Sequence, residues 1–193
     1  MDSVADCRSM YLNFGFNISE QVAAIMFGTV HYKADYKYPA DLEIREITVS
    51  TFDDIRPNDI DLSTIDRSDH LPRYIFSPRA KVLGAFDKGQ CVGYCGLRMI
   101  EEGCFKIQPL YGDSPSIATA LIQSFLNRGW LSVGSKVHIY ALLQNQQRID
   151  STIHQICSDK ENVSFRYRLH SKHEKKFAWE KIYGITNALN TII

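Results

Sequence analysis

Two polar side chains that lie two residues apart, His138 and Tyr140, are candidates for proton-transfer chemistry. They belong to the segment KVHIYALL (residues 136–143), in which apolar residues alternate with others, so a strand there would place both on one face. An imidazole in a cleft can act as a general base near neutral pH. The alternative is that His138 is an ordinary hydrogen-bonded histidine of a protein core.

The other titratable residues point less clearly to a site. Glu101 and Glu102 fall at a predicted turn, where carboxylates are usually solvated. Three more histidines are too scattered in the sequence to indicate a metal site: His154, His170 and His173. Five cysteines without a CxxC pair indicate neither a zinc site nor a disulfide framework: Cys7, Cys91, Cys95, Cys104 and Cys157. We therefore expect reduced thiols and no metal.

The elements that would position a site are concentrated in residues 82–128. Apolar runs at 82–86 and 91–99 flank the polar interval Asp87-Lys88-Gly89-Gln90, which predicts a β-hairpin. A further strand is predicted at 104–111. Ser114 then suits the N-cap of a helix, and Pro115 suits its first position. Apolar residues at helical spacing predict that this helix packs on the sheet: Ile117, Ala118, Leu121, Ile122, Phe125 and Leu126.

This order of elements, a hairpin, a strand, a tight turn and a helix, resembles the central motif of the GNAT superfamily of acyl-CoA-dependent N-acyltransferases. The resemblance lies in the segment FDKGQCVGYCGLRM and the segment FKIQPLYGDSPSIATALI that follows it. It is more narrowly similar to the C-terminal domain of YitH-type tandem GNAT proteins, whose turn reads approximately PLYAD before a helix that starts with Ile-Ala. The resemblance extends over residues 42–187 and is specific in the central stretch. Together with the succession of predicted elements, it implies an α+β fold with one mixed, mostly antiparallel sheet and helices on both faces.

The resemblance also implies a co-substrate and a set of site residues. In GNAT domains the cofactor pyrophosphate rests on backbone N–H groups at the start of the central helix, where orphan donors favour an anion. Acetyl-CoA or another acyl-CoA would then be held by Leu110, Tyr111, Gly112, Asp113, Ser114, Ser116, Ile117, Ala118 and Asn145. His138 and Tyr140 would lie near the acceptor amine, and Tyr183 could protonate the leaving thiolate. Asn145 also suits the cap of a following helix.

The turn departs from the GNAT signature Q/R-x-x-G-x-G/A at several positions. Asp113 brings a negative charge that would repel a diphosphate, Pro115 deletes an N–H donor, and Ser116 replaces a glycine. The hydroxyls of Ser114 and Ser116 offer donors in return. A second hypothesis is therefore a catalytically inactive GNAT-like interaction or structural module.

The chain is predicted to have two parts, 1–40 and 41–193. The first is an N-terminal extension, such as an added edge strand, or the tail of a preceding GNAT-like half, because Tyr11, Gly15 and Phe16 match a pattern similar to LYxxxGF that ends the last GNAT helix. The second is the GNAT-like acyltransferase domain. Since residues 22–27 are too apolar to remain free, we predict that residues 1–35 pair as strands with the sheet or with a second chain.

Outside the central stretch the local signals are weaker. A short helix broken by Pro57 is predicted at 50–57, followed by a solvated acidic loop at 59–69 and a second short helix at 71–76. After the strand at 136–143, a helix is expected to end at 158–162, with a strand at 163–169, a charged turn at 172–176 and a final strand at 178–186.

Composition narrows the functional classes. The chain is 45% hydrophobic and 23% charged, as in an ordinary globular domain, and 22 basic residues balance 22 acidic ones, so nothing favours nucleic acid or an anionic membrane. The apolar run at 22–27 is too short to cross a bilayer, and the first residues make a poor secretory signal. We expect an intracellular, cytoplasmic protein that acts on a small-molecule or peptide amine and pairs with a second GNAT-like half or another copy of itself.

Overall fold

The computed structural model describes residues 2–4, 7–31, 39, 41–170 and 177–185. The described residues form nine strands: β1 (Asp2–Val4), β2 (Asn17–Val30), β3 (Leu42–Ile47), β4 (Ala80–Asp87), β5 (Gln90–Glu101), β6 (Cys104–Gly112), β7 (Lys136–Leu142), β8 (Cys157–His170) and β9 (Ile182–Gly184). They also form five α-helices: α1 (Arg8–Asn13), α2 (Arg56–Ser63), α3 (Leu71–Ile75), α4 (Pro115–Asn127) and α5 (Leu143–Ile156). Two 3-10 helices span Val49–Asp54 and Trp179–Lys181.

The nine strands belong to one sheet with the order β1-β8-β2-β7-β6-β5-β4-β3, and β9 pairs with β6 outside this path. β6 and β7 are parallel, and the other pairings between described residues are antiparallel. The structure therefore confirms the predicted α+β class with a mixed, mostly antiparallel sheet and packed helices.

Helix α4 forms the centre of the larger hydrophobic core. The Ser114 hydroxyl accepts a hydrogen bond from Ile117 N, so it is the predicted N-cap, and Pro115 occupies the first turn. Leu121, Ile122 and Phe125 are fully buried in this core, whose cluster also includes residues of β4 to β7. The predicted packing of the α4 stripe on the sheet is confirmed.

A second apolar cluster lies under α2 and α3. Ile55, Leu62 and Ile75 are buried there. The short helix predicted ahead of Pro57 is present as the 3-10 helix Val49–Asp54, which ends before the proline. Pro57 lies in the first turn of α2, where its missing N–H group leaves no hydrogen bond unmade. The solvated loop predicted at 59–69 is wrong for its first five residues, which complete α2.

The N-terminal segment is part of the sheet. β2 lies between β7 and β8 and is antiparallel to both, with Ala24 opposite Ala141 on one side and Phe165 on the other. Ala23, Ala24 and Met26 are buried. β1 pairs with β8 at the edge of the sheet. The predicted pairing of residues 1–35 with the sheet is confirmed for β1 and β2.

Two C-terminal predictions need correction. The N-cap of α5 is Leu142, so Asn145 lies inside the helix and does not cap it. The helix ending predicted at 158–162 is wrong because β8 already begins at Cys157, where pairing with β2 overrides the local turn signals. The final strand is confined to Ile182–Gly184 and follows a 3-10 turn. The charged turn predicted at 172–176 lies outside the described residues.

Candidate functional site

The candidate site lies where β6 and β7 separate. The two strands pair in parallel over residues 104–107 and 136–139. Beyond this point β6 pairs with β9 instead, with Leu110 opposite Gly184 and Tyr111 opposite Ile182. The Ile185 N–H group donates to Tyr140 O at 2.8 Å, which ties the end of this segment to β7. We call the gap between the diverging strands the notch, and β9 occupies it.

The turn between β6 and α4 borders the notch and is tightly packed. A Cβ atom on Gly112 would lie 3.2 Å from Ala118 N and 3.2 Å from Ile117 Cγ2, so glycine allows β6 to approach the helix closely. The N–H groups of Ile117 and Ala118 both donate to Ser114 O at 3.2 Å. Two of the donors that a phosphate-binding turn would use are therefore engaged in the first turn of α4.

The Asp113 carboxylate is paired with a cation from the C-terminal segment. Its Oδ1 atom lies 2.9 Å from Lys181 Nζ, and the hydrogen bond with Asp113 is the main reason that the pKa of Lys181 is raised. The Asp113 N–H group donates to Val92 O at 2.9 Å. Ser114, and not Asp113, caps the helix. The charge that would repel a diphosphate is thus offset while Lys181 stays in place.

Helix α5 holds the same C-terminal segment from the other side. Asn145 is buried, and its Nδ2 atom donates to the main-chain oxygens of Trp179 and Ile182, the latter at 2.7 Å. Arg148 Nη1 donates to Glu180 O at 2.6 Å. Asn145 therefore uses its amide donors on the chain's own backbone.

Tyr183, the third residue of the predicted catalytic set, is fully buried in the core that contains α4. Its hydroxyl has no hydrogen-bond partner among the described residues. Burial raises the pKa of this phenol, and the Arg148 guanidinium, 5.4 Å from the ring centre, opposes the shift. Tyr183 is therefore a phenol whose hydroxyl lies unpaired inside the core.

His138 and Tyr140 do lie on one face of β7, as predicted, and both are half-buried. His138 Nε2 is 3.4 Å from Cys104 Sγ, and its ring centre is 3.9 Å from that of Phe27. Burial, and then Lys106 and Lys136, lower the pKa of His138. The imidazole is therefore neutral at pH 7 and can accept a proton.

Sequence reasoning missed a buried ion pair on the α2 side of the sheet. Asp59 is 2% exposed, and its carboxylate accepts hydrogen bonds from the Arg67 guanidinium and the Tyr94 hydroxyl. The pKa of Arg67 is raised because its interactions with Tyr111 and Asp59 outweigh the effect of burial. The available signal was spacing: Ile55, Asp59 and Leu62 recur at i, i+4 and i+7, which places Asp59 on the buried stripe of a helix.

Gln108 on β6 was also missed. It is 6% exposed, and its Oε1 atom has no hydrogen-bond partner among the residues that the structure describes. Its amide hydrogen-bonds the nearby Tyr74, whose pKa is raised mainly by burial. A buried acceptor without a partner is uncommon, which makes Gln108 a candidate site residue.

A cavity of about 290 Å³ opens beside the start of α4. It is lined by Ser114, Ser116 and Ile117, and by Pro39, Asp41, Leu42, Asp87, Lys88 and Val92. Within the described ranges, no group of three or more His, Cys, Asp or Glu side chains could hold a metal ion. No helix of the described part of the chain is both long and apolar enough to cross a membrane.

Comparisons with solved structures show a shared fold. A proposed acetyltransferase from Pyrococcus horikoshii superimposes with a TM-score of 0.69 over 97% of this chain at 16% identity. A GCN5-related N-acetyltransferase from Kribbella flavida gives 0.53 over 87% at 10% identity, and one from Anabaena variabilis gives 0.55 over 87% at 14%. The chain adopts the fold of the GCN5-related N-acetyltransferases, the GNAT superfamily.

This chain spans 58%, 66% and 44% of the lengths of those three proteins, respectively. No family model matches the chain, and no curated protein matches its sequence. At sequence identities this low, the superpositions show the fold alone, and activity and substrate have to be argued from the site.

Proposed function

We propose that the chain is an acyl-CoA-dependent N-acyltransferase that uses acetyl-CoA or another acyl-CoA and an amine acceptor. The observation that carries this proposal is the notch: in a GNAT fold, β6 and β7 separate beside the N-terminus of α4. Tyr140 lies just beyond the last residue pair of β6 and β7, and His138, which still pairs with β6, lies on the same face of β7 two residues earlier. The cavity lined by Ser114, Ser116 and Lys88 is the place that we propose for the phosphate end of the cofactor, although Asp41 and Asp87 in the same lining oppose an anion there.

The reaction assigns a role to each predicted catalytic residue. The acceptor amine attacks the thioester carbonyl, a C–N bond forms, and the C–S bond breaks. His138, whose lowered pKa leaves it neutral, takes the proton that the amine loses, and Tyr140 orients the acceptor. Tyr183, whose hydroxyl is buried in the closed structure, gives its proton to the departing thiolate only after its segment has moved out of the notch. The main chain of β6 and the α4 turn, with Asn145, would hold the cofactor through the residues named above.

The setting of the enzyme follows from the same residues. We propose a small-molecule or peptide amine as acceptor, with Gln108 Oε1 accepting a hydrogen bond from one of its N–H groups.

All five cysteines are free, which supports a reducing, cytoplasmic location. The YitH-type C-terminal domain is the GNAT form that we propose as nearest, with residues 1–40 as the tail of a preceding half. A second copy of the chain is the alternative partner.

A catalytically inactive GNAT-like module is the second candidate, because one feature of the α4 turn favours it. The N–H groups of Ile117 and Ala118 are already bonded to Ser114 O, and Asp113 places a carboxylate beside them. In that case the fold would serve as an interaction or structural domain and would not bind acyl-CoA.

Thermal unfolding separates the two candidates. A ligand that binds the folded protein alone stabilises it by about 2.7 kcal/mol at 100 times its Kd. For a chain of this length we expect acetyl-CoA at that excess to raise the Tm by roughly 5 to 11 °C. Adenosine at the same concentration is the control and should leave the Tm unchanged. An unchanged Tm with millimolar acetyl-CoA would favour the inactive module.

A further inference from the structure

We propose that residues 178–185, here named the strap, are an autoinhibitory element that occupies the acyl-CoA position and must leave the notch before the cofactor binds. This inference rests on the proposed function. Its basis is that the strap makes the contacts that the candidate cofactor residues would otherwise offer to a ligand.

Three groups of candidate cofactor residues are engaged by the strap. The β6 backbone at Leu110 and Tyr111 pairs with Gly184 and Ile182. The Asp113 carboxylate binds Lys181. The Asn145 amide donates to two main-chain oxygens of the strap. An extended chain and an acyl-CoA arm would therefore compete for the same backbone edge and the same side chains.

The strap is attached in a way that permits release. Its strand is three residues long, and its ion pair with Asp113 is exposed by about a third on both sides, 35% for Lys181 and 38% for Asp113. Such pairs contribute little in water. The strap is retained by the burial of Ile182, Tyr183 and Ile185 and by the hydrogen bonds that Asn145 and Arg148 donate to its main chain. A cofactor arm that refills the notch would replace part of that contact.

Departure of the strap would also change the charge at the α4 turn. Once Lys181 leaves, the Asp113 carboxylate loses its cation and faces the cofactor phosphates directly. Replacing Asp113 by asparagine should therefore both loosen the strap and reduce the repulsion of a diphosphate. The departures of this turn from the GNAT signature fit a site that is closed at rest.

Gly184→Val tests the strap without touching the phosphate end. A Cβ atom at Gly184 would already lie 3.1 Å from Leu110 Cβ and 3.5 Å from Ile139 Cγ2, so a branched side chain forces the strand out of the notch. If the strap closes the site, the variant should bind acetyl-CoA about tenfold more tightly than the wild type. The reason is that a larger fraction of the variant molecules has the strap out of the notch before the ligand is added. Glu102→Gln is the control, because Glu102 is exposed in the turn between β5 and β6, outside the strap and the notch, and the affinity of this variant should not change.

Hydrogen exchange supplies the second readout. In the wild-type protein, saturating acetyl-CoA should accelerate amide exchange in peptides that cover residues 178–185. If the strand were purely structural, exchange with acetyl-CoA would be as fast as exchange without it, or slower. Acetyl-CoA binding without faster exchange, and with no gain of affinity in Gly184→Val, would overturn the strap and leave the acyltransferase proposal standing. No binding by either protein, although Gly184→Val shows fast exchange at 178–185, would overturn the proposed function and the strap with it.

Lys181→Gln replaces Gly184→Val if the valine variant fails to fold, because Lys181 is partly exposed and outside the core. We expect faster exchange at 178–185 from the loss of this ion pair. Acetyl-CoA affinity is not the readout for this variant, because the substitution also removes the cation that offsets the Asp113 carboxylate. Unchanged exchange at 178–185, with and without acetyl-CoA, in a folded Lys181→Gln protein that binds acetyl-CoA would count against the strap.

Discussion

Replacing Phe125 by alanine is expected to lower the free energy of unfolding by about 3 to 5 kcal/mol. Phe125 is fully buried on the stripe of α4 that faces the sheet, and its ring centre lies 6.0 Å from that of Trp130. Removing the ring takes away apolar contact and leaves a cavity that a helix fixed between its N-cap and the sheet cannot close by small shifts.

Urea denaturation followed by circular dichroism measures this loss. Phe14→Ala is the control, because Phe14 is 73% exposed and its replacement should change stability by about 0.5 kcal/mol or less. Equal denaturation midpoints for Phe125→Ala and the wild type would show that α4 does not pack as described, and the position of the β6–α4 turn would then be wrong as well.

Asp59→Asn is expected to cost about 3 to 5 kcal/mol, the range for a buried ion pair that loses one partner. The Arg67 side chain is 12% exposed and would keep its charge with a neutral amide in place of its carboxylate. The Tyr94 hydroxyl, fully buried, would lose its charged acceptor at the same time.

The loss of stability should depend on the burial of the Asp59 carboxylate and not on the loss of any negative charge from α2. Asp61 lies on the same helix at an exposed position, so Asp61→Asn should change the free energy of unfolding by about 0.5 kcal/mol or less. Replacing both partners, Asp59→Leu with Arg67→Met, should recover much of the loss, because no unpaired charge remains. A near-neutral Asp59→Asn variant would mean that the pair is solvated and that α2 is not anchored through it.

The central part of the fold could be predicted because its signals are local. The β4–β5 turn, the strand that follows, and the Ser114 cap with Pro115 all depend on residues within one turn or one hairpin of each other. The shared face of His138 and Tyr140 follows from the alternation of a strand. These features place α4 and β7 correctly before any tertiary contact is known.

The remaining features depend on contacts between distant parts of the chain. The apolar run at 22–27 predicts that this segment joins a sheet, but no local signal places Asn17–Val30 between β7 and β8. No local signal places Ile182–Gly184 in the notch beside β6 either. Asn145 looked like a helix cap because its type suits one, whereas its amide binds the strap from inside α5. The cation that offsets Asp113 comes from a residue 68 positions later (181 − 113). Sequence patterns carry no signal for such pairings.

Calorimetric titration of the wild-type protein and Asp113→Asn with acetyl-CoA tests the central claim, that the β6–α4 turn and the notch bind an acyl-CoA. The asparagine variant removes a charge that faces the phosphates and the anchor of Lys181, and the Ser114 cap is unaffected. We predict heat of binding from both proteins and tighter binding by the variant. No heat from either protein, with both folded by circular dichroism, would contradict the claim and favour the inactive module.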